Sequence, residues 1–86
     1  MQVKYHKNFL KKYSTLSSEL QKKVDMRIVL FTKNQWQAQL NNHLLQGRYQ
    51  SYRSINITGD IRTIYKEIPE GVYSFIDIDN HSNLYG

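Results

Sequence analysis

Histidines 43 and 81, Asp60, and arginines 53 and 62 are the residues of this chain best suited to acid–base work on a phosphate. His43 precedes a β-rich stretch and His81 follows it. Asp60 lies in a Thr-Gly-Asp turn inside that stretch, and Tyr85 stands shortly past His81. Imidazole titrates near neutral pH, with a reference pKa of about 6.5, so one histidine can accept a proton while another donates one. Cleaving RNA without a metal needs such a pair. The 2′-OH is an internal nucleophile that the substrate itself holds beside phosphorus. The protein must add a base for the 2′-OH, an acid for the departing 5′-oxygen and cations for the charge building on phosphate. His43 and His81 fit the first two roles. Arg53 and Arg62 fit the third through their forked donors. Asp60 would orient an imidazole, and Tyr85 would stack on a base or bond the phosphate.

Plainer readings stand beside these. A lone histidine in a small protein is usually a surface residue, the reading given to His6. Strand arginines commonly pair with acids such as Glu67 or Asp77. Asp60 is adequately explained as a turn residue. A metal site from His43, Asp60 and His81 lacks any HxxxH-like spacing. Trp36 suits a core anchor or a partner contact better than an RNA platform.

The elements that must position these residues follow from the patterning. Gln2 to Tyr5 alternates and reads as a short strand. His6 to Tyr13 reads as a helix broken at Ser14-Thr15. Ser17 or Ser18 is a candidate N-cap for a second helix, in which Leu16, Leu20, Val24, Ile28 and Phe31 recur at three- and four-residue spacing. Residues 35–51 are polar and read as a loop with room for one helical turn. Tyr52–Ile57, Ile61–Ile68 and Val72–Ile78 read as strands, with turns at Thr58-Gly59-Asp60 and Pro69-Glu70-Gly71. Links this short force antiparallel pairing. The expected class is α+β: a short N-terminal strand, two helices, then a three-stranded antiparallel meander, with the helices on one face and the other free for a site.

Length and composition bound the rest. At 86 residues the chain is expected to be one domain, 1–86. Its 40% hydrophobic and 22% charged content argues against disorder. No cysteine is present, so disulfides and thiolate metal sites are excluded, which fits a reducing cytoplasm. No apolar run approaches a membrane span, and no signal peptide is visible. The net charge of +5 is unevenly placed. Residues 1–33 hold eight Lys and Arg, Lys11, Lys12, Lys22 and Lys23 among them, against Glu19 and Asp25. Such a basic block attracts polyanions by counterion release, or is simply a solvated face.

Three segments carry a resemblance. Asn42-His43-Leu44-Leu45-Gln46-Gly47-Arg48-Tyr49-Gln50-Ser51-Tyr52-Arg53 resembles the H-x-L-x-G-x-(W/Y)-x-x-(Y/F)-R segment of bacterial RelE-superfamily toxins of the YafQ kind. Asp60-Ile61-Arg62-Thr63-Ile64-Tyr65-Lys66 is similar to the strand after their aspartate. Asn80-His81-Ser82-Asn83-Leu84-Tyr85-Gly86 is similar to their T-H-(S/A)-x-L-(F/Y) ending. The segments occur in the family's order and cover residues 42–86, whereas the first 40 residues match only in layout. The resemblance implies a RelE-like microbial ribonuclease fold. It implies an mRNA endonuclease that cuts in the ribosomal A site without metal or other cofactor and is neutralised by a cognate antitoxin protein. By position His43, Asp60, His81 and Tyr85 match family catalytic residues.

The chain departs from the family at two places. The family's mid-strand histidine falls on Asn56, which can hold a phosphate oxygen or a 2′-OH but cannot shuttle a proton. A usual glycine is replaced by Asp79, so Asp77 and Asp79 would set negative charge beside the site, opposing RNA or favouring a protonated His81. The expected site is therefore His43 as base, His81 as acid, and Arg62, Asp60 and Tyr85 around them. Arg48, Arg53, Asn56, Lys11, Lys12, Lys22 and Lys23 would hold RNA, the lysines on the ribosome's RNA. The partners expected are mRNA, the ribosome and an acidic, partly disordered antitoxin, with no membrane. The rival readings are a ParE-like toxin acting on gyrase and a catalytically weakened antitoxin-binding family member.

Overall fold

The structure, a computed structural model, describes residues 1–85, with side chains described through Leu84. Two helices follow the first strand because their first turns are capped. Strand β1 is Gln2–Tyr5 and helix α1 is Lys7–Ser14. His6 stands just outside α1 as its N-cap, its Nδ1 accepting from the Asn8 N–H at 3.1 Å. Helix α2, Ser18–Lys33, is capped by Ser17, whose hydroxyl accepts from the Leu20 N–H at 3.2 Å. Glu19 in its first turn and Lys33 in its last complement the helix dipole. Val24, Ile28 and Phe31 form the buried stripe of α2, as their spacing predicts.

The chain then builds a five-stranded sheet: β2 His43–Leu44, β3 Arg53–Asn56, β4 Ile61–Ile68 and β5 Val72–Asn80, followed by the short helix α3, His81–Tyr85. The spatial order is β1-β5-β4-β3-β2, with β1 parallel to β5 and the other pairs antiparallel. The expected meander is thus the middle of a larger mixed sheet. β3 is shorter at both ends than the expected Tyr52–Ile57, and β5 runs two residues past Ile78. The segment read as a loop holds two 3-10 turns, Ala38–Leu40 and Gly47–Tyr49, and the two residues of β2. A two-residue strand shows no alternation to read, so only its pairing with Ser54 and Arg53 reveals it. Gly47 has φ +69°, a value an L side chain rarely adopts, and this turns the chain back toward β3.

The main core lies between the helices and one face of the sheet. Phe31 is its hub, with ring centroids 4.8, 5.4 and 5.3 Å from Tyr65, Tyr73 and Phe75, each met edge-on. Phe9 joins Tyr5 and Phe75 to this cluster. The opposite face is not bare as expected. Leu84 of α3 folds back onto Ile64 and Leu45, with Tyr49, Tyr52 and Ile76 packed around them. This second, smaller core fixes α3 over the sheet.

Candidate active site

Side chains directly across a sheet share a face. The register sets Asn56, Arg62 and Asp79 in one row on the face away from the main core. Beyond this row the β3–β4 turn meets the start of α3. The Thr58 hydroxyl accepts from the N–H groups of Asp60 and Ile61, at 3.2 and 3.0 Å, and tightens the turn. The His81 N–H donates to the Asp60 carbonyl at 2.9 Å. Two of the sequence candidates, Asp60 and His81, are therefore brought together through the main chain, and both side chains are exposed. Arg62 donates from Nη2 to the Gly59 carbonyl at 3.1 Å. Two buried atoms beside them have no hydrogen-bond partner among the described residues: Asn56 Oδ1, an acceptor, and Arg62 Nε, a donor. Buried polar groups are nearly always paired, so this acceptor and donor are exceptions within the row.

α3 begins firmly. Asn80 Oδ1 accepts from the Asn83 N–H at 2.8 Å. Asp79 accepts from the Asn80 N–H at 2.8 Å and from the Asn83 amide at 3.0 Å. Lys12 of α1 closes this network, with Nζ 2.9 Å from Asp77 Oδ1 and 3.1 Å from Asp79 Oδ2. Among the described residues these are the only ion pairs. Burial pushes the Asp79 carboxyl up, but the Asn83 amide, the Asn80 N–H and Lys12 together outweigh it and hold the carboxyl below its usual value. The hydrogen bond to Asp77 leads in raising the Lys12 ammonium above its usual value, against the opposing effect of burial. This corrects two expectations. Lys12 is taken by two carboxylates and is not a free phosphate ligand, and Asp77 and Asp79 do not face His81 as uncompensated acids.

His43 is placed differently. It pairs with Ser54, so it shares the face of Asn56, but on the edge strand. Three strand spacings and four residues of rise separate it from His81, on the order of 15–20 Å between backbones. Its Nδ1 lies 2.8 Å from the Asn41 carbonyl. A carbonyl only accepts, so Nδ1 carries the proton of that bond and the neutral ring keeps its Nε2 lone pair. That is the tautomer a general base requires.

Arg53 is a second correction. It alternates with Ser54 and pairs with Tyr65, so it points to the helix side of the sheet, away from Arg62. There Nε donates to Asn42 Oδ1 at 2.7 Å and the guanidinium lies 4.9 Å from the Trp36 ring centroid. Trp36 is 60% exposed, which removes the core-anchor reading. Arg48 sits over the Tyr49 ring at 5.1 Å and reaches the Leu84 carbonyl at 3.5 Å, tying the Gly47–Tyr49 turn to α3. The Tyr85 backbone is in α3, and its side chain lies outside the described residues.

The lysines of the basic block do not share one surface. Lys11 lines a groove on the free face, whereas Lys23 lines a hollow beside Thr58 and Gly59. Lys22 is exposed on α2. Sequence reasoning missed the tie from Lys12 to Asp77 and Asp79 and the part of Asn83. The signal was present only as two acids spaced to share a strand face, which need a cation; which of eight candidates supplies it depends on tertiary packing.

Comparison with known proteins places this arrangement. The family described as "Bacterial toxin of type II toxin-antitoxin system, YafQ" matches residues 1–86. No curated protein matches. Among solved structures, YafQ from E. coli superposes with a TM-score of 0.78 at 22% identity, covering 99% of this chain and 98% of that one. A YoeB/ParE toxin from Agrobacterium tumefaciens gives 0.79 at 18%, covering 94% and 99%. YafQ in the E. coli DinJ-YafQ toxin-antitoxin complex gives 0.75 at 23%, covering 99% and 97%. These structures share the strand, helix pair and sheet, the RelE-like fold expected from sequence. With the family match running the whole length of the sequence, the chain belongs to the YafQ family of bacterial type II toxin–antitoxin toxins.

Proposed function

We propose that this toxin is an mRNA endonuclease working on the ribosome, cleaving by attack of a 2′-OH on the adjacent phosphate without a metal. The observation that carries the reading is the unpartnered pair Asn56 Oδ1 and Arg62 Nε, set beside Asp60 and His81. An acceptor next to a cationic donor matches a ribose hydroxyl next to a phosphate oxygen, and DNA offers no such neighbour. His43 takes the 2′-OH proton through its open Nε2 lone pair. The 2′-oxygen bonds to phosphorus, the bond to the 5′-oxygen breaks, and His81 protonates that leaving oxygen. The products are a 2′,3′-cyclic phosphate and a 5′-OH. Arg62 stabilises the charge on the phosphorane-like transition state, Asn56 holds the ribose and Asp60 positions groups around His81. Both imidazoles serve one phosphate, so the scheme requires the two side chains to turn toward each other over Asn56 and Arg62, across a backbone span on the order of 15–20 Å.

Lys22 and Lys23 supply a sequence-independent grip on ribosomal RNA. The partner is an acidic antitoxin that folds on this domain, as DinJ accompanies YafQ in the E. coli complex.

The test is primer extension on an mRNA, with and without ribosomes, using wild type, His81→Ala, His43→Ala and Asp60→Asn. Ribosome-dependent cuts that vanish in His81→Ala and His43→Ala support the assignment. Cuts lost in Asp60→Asn but kept in His43→Ala would transfer the base role to Asp60. Full cleavage by a folded His43→Ala, His81→Ala double variant sinks the catalytic scheme, and inhibition of DNA supercoiling by that variant would favour the gyrase reading.

A further inference from the structure

The free face carries a second hollow that the cleavage scheme does not use. It is an open groove of about 530 Å³ between α1 and the tyrosines after Gly47, within the range of small-ligand sites. Lys7 and Lys11 line one wall. They are four apart on α1, so they share a face. His6 lies on the same wall. Its Nδ1 is occupied as the α1 cap, so the neutral ring turns an Nε2–H donor outward. Tyr49 and Tyr52 form the other wall, their rings 6.2 Å apart and edge to face. Each ring has its own cation: Arg48 lies 5.1 Å from the Tyr49 centroid and Lys66 5.4 Å from that of Tyr52.

Ile76 and Asp77 make the floor. An acid there would repel an anion, but Asp77 Oδ1 already receives Lys12 at 2.9 Å and the Ile78 N–H at 2.8 Å. The groove therefore presents two lysines, a neutral donor and two aromatic rings around a compensated floor, with Arg48 and Lys66 set against those rings from outside its lining. Cations beside stacking rings fit a ligand that is both anionic and planar. Single-stranded nucleic acid has both properties, whereas an acidic peptide would use the charges and leave the rings idle.

We propose that this groove is a second RNA subsite, which holds nucleotides flanking the cleaved step by base stacking on Tyr49 or Tyr52 and phosphate contact with Lys7 and Lys11. The inference rests on the reading of the His81 end as the place of cleavage. Four to five strand residues separate the groove floor from His81, on the order of 15 Å. The subsite thus lies beyond the reach of the cleaved dinucleotide and engages only a longer strand.

The experiment measures binding, not cleavage. The probe is a labelled hexaribonucleotide made uncleavable by 2′-deoxy substitution at every position but the ends, read by fluorescence anisotropy on the full chain, with a dinucleotide as comparison. Tyr52→Ala is expected to weaken hexamer binding about fivefold or more. Tyr52 also packs in the small core, so Lys11→Glu, a surface change, serves as the second variant. It is expected to weaken the hexamer about fivefold or more and to flatten the salt dependence, while Lys33→Glu at the far end of α2 leaves it within twofold. Dinucleotide binding should be unchanged throughout. Equal hexamer binding by Lys11→Glu and wild type overturns the subsite, as does equal competition by an acidic peptide, which would mark a protein partner. A hexamer that depends on Lys11 in a protein that cuts no mRNA keeps the subsite and removes the cleavage reading. Normal cleavage with indifferent Lys11 and Tyr52 variants does the opposite.

Discussion

Replacing Lys12 with Met keeps most of its stem and removes its charge. The ammonium it deletes lies 2.9 Å from Asp77 and 3.1 Å from Asp79. Breaking a buried ion pair costs about 3–5 kcal/mol because a charge is left stranded, while a surface pair contributes about 1 kcal/mol or less. Asp77 is only 8% exposed, but the Lys12 side chain is 37% exposed, so solvent screens part of the loss. An intermediate value of about 2 kcal/mol follows. In a domain of this size that lowers Tm by about 8–16 °C. The pH dependence has a defined sign. Asp79 is held below its usual 3.8, so its stabilisation is present above 3.8 and is lost as pH falls through the lower folded value. Lys12 is held above its usual 10.5, so its contribution is present below 10.5 and is lost as pH rises through the higher folded value. Wild type should therefore be stable across the neutral range and weaken on acidification. Lys12→Met should be weak at neutral pH, with a deficit that shrinks once the carboxylates are protonated. Thermal melts followed by circular dichroism at neutral and acid pH read both. Adding Asp77→Asn and Asp79→Asn to Lys12→Met should recover most of the loss. A neutral-pH Tm within about 2 °C of wild type, or a deficit independent of pH, would refute the reasoning.

Two further outcomes are expected. Leu84→Ala should cost about 2–5 kcal/mol, since Leu84 is 1% exposed against Ile64 and Leu45; it should also release α3 and abolish cleavage, and an unchanged denaturation midpoint contradicts this. Lys22→Glu with Lys23→Glu should weaken co-sedimentation with ribosomes and flatten its salt dependence, and unchanged pelleting makes that part of α2 a merely solvated surface.

Patterns that repeat within one element were legible in the sequence. The α2 stripe, the Ser17 cap and the two tight turns each have a local cause, and the structure keeps them. The fold class followed, because helix pair and meander leave few ways to pack. Relations across elements were not legible. Arg53 and Arg62 look alike on paper, yet one residue of alternation sends them to opposite faces, and only the β3–β4 register says which. Lys12 was one of eight cations until α1 packed against β5. β2 is too short to announce itself, so His43 read as a loop residue and not as part of an edge strand. The Asp60–His81 contact was within reach, since a meander brings a strand-joining turn to the end of the next strand; the missing piece was that β5 runs on to Asn80.

The parallel pairing of β1 with β5 has a consequence for when the molecule comes into being. Gln2 lies opposite Val72 and Tyr5 opposite Phe75, so the first strand waits for partners seventy positions away. Closing a loop of that length must be paid in chain entropy before any contact repays it, which makes such pairings late events in folding. The same strand ends at Asn80 and hands the chain to His81. The closing of the sheet and the appearance of the site thus share one strand. A nascent chain that has not yet released β5 has neither a complete sheet nor an Asp60–His81 contact, whatever is already folded upstream.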